Sequence, residues 1–217
     1  MALTIFDLDE TLIGIDSDHA WGGYVVDEGL VDEGNYRATN QQFFDDYKQG
    51  IMDVDAYMKF SCDVLSKYDH EFLFAHREKF INERIRPNIL PKACSLIQSH
   101  QAKGDKVIVI TATVDFITQA IVDLLGIDTL IAPVAEVVAG RYTGGIVGTV
   151  SIGSGKVSRL KEWLIGKDIS MNESRFYSDS ANDLPLLEKV TYPVAVDPDD
   201  KLAAIAKINN WPIISLR

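Results

Sequence analysis

A chain of 217 residues with a net charge of −11 lacks the basic face that a nucleic-acid or anionic-membrane partner demands. Its 47% hydrophobic content suffices for a sizeable buried core in one or two domains, and no apolar run nears the roughly 20 residues that span a bilayer. With no leader-like segment, and with Cys62 and Cys94 outside any Cys-x-x-Cys or His spacing, a cytoplasmic protein with free thiols and no zinc is expected.

The first element is the apolar run Ala2–Phe6, read as a buried strand. It ends on Asp7-Leu8-Asp9-Glu10-Thr11, which reads either as a solvated turn entering a helix or as an acidic pair at a strand end. About 75 residues without a convincing strand follow. They carry helical periodicity instead, in Trp21, Tyr24 and Val25, in Phe43, Phe44 and Tyr47, in Tyr57, Phe60 and Val64, and in Phe72, Ala75 and Phe80, all read as core stripes. A connection that long needs structure of its own, so residues 15–85 are expected to form a helical insertion over the acidic pair.

Beyond it, strands are expected at Val107–Thr111, Leu130–Ala132, Arg175–Ser178, Pro193–Val196 and Ile213–Ser215. Helices are expected near 89–102, 115–125, 155–166, 182–188 and 200–208, and Val137–Gly148 reads as a β-hairpin around its glycines. Alternation of this kind predicts an α/β fold: a doubly wound parallel sheet with right-handed crossovers and a helical segment inserted after the first strand. The division expected is a core of 1–14 and 86–217 and a cap of 15–85.

Four polar groups fall at strand ends or helix starts, the edge where open α/β sheets gather ligands. They are Asp7, Asp9 and Thr11; Thr111-Ala112-Thr113; Lys156; and Ser178-Asp179-Ser180-Ala181-Asn182-Asp183. Singly, each has a structural reading: the threonines as caps, Lys156 as surface charge, Ser180 or Asn182 as an N-cap. Together they supply clustered carboxylates, hydroxyls and one ammonium. Oxygen donors without Cys or His select a hard cation, Mg²⁺ by default, and the hydroxyls, amides and lysine suit a phosphate dianion. Gly153-Ser154-Gly155-Lys156 is not a nucleotide-binding P-loop, since Val150 and Val157 stand where that pattern needs Gly and Ser or Thr. His19, His70, His76 and His100 have no metal spacing, though His19 is close to the acidic cluster in sequence.

These motifs, in this order and over about residues 1–215, resemble the haloacid dehalogenase-like hydrolases, in their phosphoserine-phosphatase-like branch. The resemblance implies Asp7 as nucleophile forming an aspartyl-phosphate, Asp9 as general acid and then base, and Lys156 as charge partner. It implies a phosphoryl site of Thr111, Ala112, Lys156 and Asn182. It also implies Mg²⁺ held by Asp7, Asp9 (through its carbonyl) and Asp179, with Asp183 in support. Asp16 stands where that branch's phosphoserine phosphatases have a Glu that reads the substrate's amino group, and with Asp18 it forms an acidic, substrate-binding rim. The loop around Asp16 and the run Pro91–Ala112 are similar to a bacterial subgroup that includes histidinol-phosphate phosphatases. The substrate expected is a small phosphorylated metabolite, histidinol phosphate or a similar amino-alcohol phosphate first and phosphoserine second. Arg37, Arg77, Arg84 and Arg86 are candidates to read a carboxylate. A phosphotransferase, or a phosphate-responsive module without catalysis, are the alternatives, and the oligomeric state stays open.

Overall fold

The computed structural model describes residues 2–217. Six strands form one parallel sheet: β1 (Leu3–Phe6), β2 (Lys106–Ile110), β3 (Leu130–Ile131), β6 (Arg175–Ser178), β7 (Tyr192–Val196) and β8 (Ile213–Ile214). Their spatial order is β3-β2-β1-β6-β7-β8, so the chain winds outward from β1 in one direction and then in the other. The direction reverses between β1 and β6, and the crevice beyond their carboxyl ends is where such sheets bind ligands.

The sheet is covered on both faces, which is why its strands read as continuous apolar runs. Alternate side chains divide between two clusters. Phe6, Val107, Val109, Tyr177 and Val194 face one, and Leu3, Ile5, Ile108, Ile110 and Phe176 face the other. Helices α5 (Pro91–Ala102) and α6 (Asp115–Leu124) cover the first face through Ile97, Phe116 and Ile121. The second is covered by α7 (Ser154–Leu164), α8 (Leu184–Leu187) and α9 (Asp200–Ile208), through Leu160, Leu186 and Leu202. The predicted helix at 182–188 is shorter than expected: Ala181–Asp183 is a 3₁₀ turn, and Pro185, with no N–H to donate, sits in the opening turn of α8.

Between β1 and α5 lie α1 (Ser17–Asp27), α2 (Glu33–Gln49), α3 (Val54–Ser66) and α4 (His70–Phe80). Asp16, Asp32, Asp53 and Asp69 precede them at the N-cap position, and three of these carboxylates accept a helix N–H: Asp16 from His19, Asp53 from Ala56, Asp69 from Phe72. Trp21, Tyr24 and Phe80 pack edge-on and face-on with each other, and Trp21 meets Phe116 of α6 at 5.7 Å. The buried residues of this segment are therefore continuous with the first face of the sheet. A hairpin, β4 (Val134–Val138) and β5 (Arg141–Val147), begins three residues before the expected start and lies against α3, with Gly144 beside Ser66.

The chain enters and leaves this segment at one place. Ile13 pairs with Ile89 as an antiparallel bridge, Gly14 N–H donates to the Asn88 carbonyl at 2.8 Å, and Leu90 N–H donates to that of Leu12. After α4 the helix loosens into one π turn (Ile81–Ile85) and a 3₁₀ turn (Arg86–Asn88). Pro87 accounts for the break, because it removes a donor from the helical ladder. Among the described residues no helix is long and apolar enough to cross a membrane.

Candidate active site

The four sequence-distant groups meet at the crevice. Asp7 follows β1, its amide held by the Tyr177 carbonyl of β6 at 2.9 Å. Glu10 then takes a left-handed conformation (φ 56°), which turns the chain sharply after Asp9. Lys156 is fully buried and donates to Asp7 Oδ1 and Asp183 Oδ2, each at 2.7 Å. Ser178 Oγ donates to the same oxygen of Asp183 at 2.7 Å, and Thr11 Oγ1 donates to Asp179 Oδ1 at 3.1 Å.

Asp9 points elsewhere. Its Oδ1 accepts the Ser17 amide at 2.8 Å and its Oδ2 the Thr113 hydroxyl at 2.8 Å, with the Thr111 hydroxyl at 3.5 Å. The two carboxylates of Asp7-Leu8-Asp9 thus have different partners: a lysine for the first, neutral donors for the second.

Burial dominates the acid–base character here. It pushes the Asp7 carboxyl up to about 7, opposed by Lys156 and assisted by Asp183 and Asp9. It pushes Asp9 up to about 7 as well, with Asp16 adding and the bonds from Ser17 and Thr113 opposing. Asp179 is raised well above the ordinary range by burial and then by Asp7. Lys156 is raised despite its burial, because Asp183 and Asp7 flank it, so it stays charged.

This donor set fits a hard cation. Asp7 and Asp179 repel each other, Lys156 is shared with Asp183 and Lys48 is paired with Glu10, and Asp183 Oδ1 is buried with no hydrogen-bond partner. Among the described residues no three His, Cys, Asp or Glu side chains form a metal-holding group. Two carboxylates and a main-chain oxygen, with water filling the remaining positions, match what Mg²⁺ accepts.

Several expected roles shift. Asp183 is committed to Lys156 and Ser178, so it positions the lysine rather than facing the cavity. The Asn182 amide donates to the Tyr47 carbonyl at 2.7 Å, which ties α2 to the core. Asp16 lines the cavity and also caps α1, accepting the His19 amide at 2.7 Å. Asp18, raised to about 6 by burial, lines the cavity and accepts from Ser61 Oγ at 3.2 Å. The four arginines are engaged elsewhere: Arg37 and Arg84 with Asp27, Arg77 with the Phe116 carbonyl, Arg86 with Asn82.

The cavity at Asp7 and Asp9 is lined by Thr111, Ala112, Thr113 and Asp179 and by the carboxylates of Glu10, Asp16 and Asp18. Its wall is also aromatic, with His19, Phe43, Phe44, Tyr47 and Tyr57, the last bonded to Asp18. Phe43, Phe44 and Tyr47 read as a core stripe in the sequence. A helical face turned to a cavity has the same periodicity as one turned to a core, so pattern does not separate the two. Thr113, grouped with Thr111 at the strand end, proves to be a donor to Asp9, and Asn40 has no sequence signal of its own.

Gly153-Ser154-Gly155 seats the lysine. Gly153 has φ +52°, and a Cβ on Gly155 would lie 2.0 Å from the Val150 carbonyl oxygen. That oxygen is backbone and cannot yield cheaply. Gly155→Ala is expected to destabilise by about 1–3 kcal/mol and to lower kcat by displacing Lys156. A thermal melt unchanged from wild type would rule this out.

Comparison with known proteins agrees with the geometry. The family described as haloacid dehalogenase-like hydrolase matches residues 4–188. The chain is 44% identical over 219 aligned positions to a histidinol-phosphatase of Neisseria meningitidis serogroup C, covering 99% of each. It superposes with a TM-score of 0.94 and 37% identity on a Bordetella pertussis Tohama I protein of unknown function, covering 100% of this chain and 99% of that one. A substrate-bound phosphoserine phosphatase shares the fold at a TM-score of 0.74 and 18% identity, over 100% of this chain and 93% of that one.

Proposed function

The chain belongs to the haloacid dehalogenase-like hydrolases and is a phosphatase; from that premise we propose that it hydrolyses a small amino-alcohol phosphate, histidinol phosphate first, through an aspartyl-phosphate and with Mg²⁺. The observation that carries the substrate class is the cavity wall. It holds Asp9, Asp16 and Asp18 beside aromatic rings and, among the described residues, neither Lys nor Arg. A protonated amine finds carboxylates and ring faces there. A substrate carboxylate, as in phosphoserine, finds nearby only the Lys48 ammonium, which is already paired with Glu10. The 44% identity to a histidinol-phosphatase supports the same choice.

In this reading Asp7 attacks phosphorus while Asp9, protonated, gives its proton to the departing alcohol oxygen. Water then attacks the aspartyl-phosphate as Asp9 takes its proton back, and inorganic phosphate leaves. The raised pKa of Asp9 suits it to both roles, and Ser17 and Thr113 hold it in place. Lys156 has three donors, of which Asp7 and Asp183 take two, leaving one for a phosphoryl oxygen. Thr111 Oγ1 and the Ala112 amide, both at the cavity, would donate to the others. Asp7, Asp179 and the Asp9 carbonyl would hold Mg²⁺, which neutralises phosphoryl charge when bound. Residues 15–85 act as the cap over residues 1–14 and 86–217.

Two outcomes are expected. In a phosphate-release panel with Mg²⁺ and an EDTA control, kcat/KM for histidinol phosphate exceeds that for phosphoserine by at least about 100-fold; a preference for phosphoserine overturns the substrate reading. Asp16→Asn keeps a good cap, since Asn serves there as well as Asp, so it isolates the charge. It should weaken amine-bearing substrates by about tenfold while sparing simple aryl phosphates, and uniform loss would make Asp16 structural.

Metal binding has its own readout in thermal stability. Without cation, carboxyls raised from 3.8 to about 7 give stability at low pH that is lost as pH climbs through about 7. Cation competes with those protons, so the rise in Tm on adding Mg²⁺ should grow between about pH 5.5 and pH 7.5. A shift independent of pH would argue against Asp7 as a ligand.

A further inference from the structure

His19 belongs to neither the acidic cluster nor the phosphoryl site, yet its ring is held on one edge by a buried asparagine. Asn40 Nδ2 donates to the His19 carbonyl at 3.0 Å and lies 3.1 Å from His19 Nδ1. A carbonyl can only accept, so the atom facing it must be the amide NH₂, and the orientation of Asn40 is thereby fixed. Its second hydrogen meets His19 Nδ1, which must then present a lone pair. The ring proton therefore sits on Nε2, while the ring's hydrogen bond to Asn40 is made at Nδ1 and the residue lines the cavity.

The rest of the molecule is arranged around this contact. Asn40 is the one buried residue of α2, a helix of 17 residues. It reaches His19 because residue 22 is glycine: a Cβ there would lie 2.3 Å from Asn40 Oδ1 and 2.6 Å from Nδ2. Phe44 stacks on the His19 ring at 4.5 Å and 30°. Burial holds the imidazole pKa below its usual value, which favours the neutral ring at pH 7.

We propose that His19 is a specificity-determining residue: a neutral imidazole, fixed by Asn40 as an Nε2–H donor, that reads an uncharged acceptor nitrogen in an aromatic heterocycle of the substrate. This rests on the amino-alcohol phosphate reading and deepens it. Asp16 and Asp18 accept from the cationic amine, and His19 donates to the neutral ring held against Phe44 and its neighbours.

The test compares kcat/KM for histidinol phosphate, which has both amine and ring, with that for O-phosphoethanolamine, which has the amine alone. Wild type should favour the ring-bearing substrate, and His19→Ala should shrink the ratio by about tenfold or more, chiefly through KM. His19→Gln, whose amide nitrogen reaches the Nε2 position, should restore part of it, whereas His19→Asn should not. Nitrogen-15 NMR should show the Nε2–H tautomer in wild type and a mixture in Gly22→Ala, where Asn40 is displaced with both partners still present. An unchanged substrate ratio in His19→Ala, or the Nδ1–H tautomer in wild type, overturns the assignment and leaves the amino-alcohol phosphate reading standing. Failure of wild type to hydrolyse either amine-bearing substrate overturns both.

Discussion

Asp7→Asn is expected to lower kcat by about four to six orders of magnitude, as loss of a covalent nucleophile does elsewhere, while leaving the protein folded. Asparagine has the same shape and a neutral amide, which attacks phosphorus poorly. The fold should tolerate the change well, because burial already disfavours charge on Asp7. Lys156 keeps Asp183 as its counter-ion at 2.7 Å. Without Mg²⁺ the variant should melt at or above the wild-type temperature, and its Mg²⁺-induced shift should be smaller. Steady-state turnover above about 1% of wild type would remove Asp7 from the nucleophile's role, whatever else the site does.

Lys156→Met should have the opposite balance, with stability and activity falling together. Both Asp7 and Asp183 would then be buried and facing without a cation, and breaking a buried pair in this way costs about 3–5 kcal/mol. Denaturant titration reads that directly as a lower midpoint at unchanged slope. Activity should fall at least about a thousandfold, because the third ammonium donor and the compensation of Asp7 disappear together. Adding Asp183→Asn removes one stranded charge and should recover much of the stability but none of the activity. If the double variant regains turnover, Lys156 serves the fold alone. A single variant as stable as wild type would mean that the two carboxyls are neutral when folded.

What the sequence discloses about such a site depends on how its residues are anchored. Asp7, Thr111 and Asp179 follow directly on strands β1, β2 and β6, and a run of buried apolar residues fixes a strand end to within a residue. Lys156 is similar, because two glycines with special backbone needs precede it. Residues placed by tertiary approach are harder to read. Nothing local to Asn182 says that it reaches the Tyr47 carbonyl, 135 residues away, or that Asp183 is occupied by the lysine. The aromatic wall shows the same limit: the sequence marks Phe43, Phe44 and Tyr47 as one helical face without saying what that face looks onto. Gly22 does carry a local signal, since a glycine in mid-helix is unfavourable by itself and here marks the close approach of Asn40.

The bridge between Ile13 and Ile89 has an architectural consequence. Since Gly14 and Asn88 are already hydrogen-bonded neighbours, the chain departs from the sheet and rejoins it without displacing any strand. A segment joined in this manner is topologically exchangeable: a short turn, or an unrelated insert of any length, closes the same gap. What resists exchange is packing, because Trp21 against Phe116 and Gly144 against Ser66 would have to be rebuilt. Ser17 of the segment holds Asp9 and Tyr47 receives Asn182, so a graft of residues 14–88 between related chains keeps the core's chemistry only where a backbone amide still reaches Asp9.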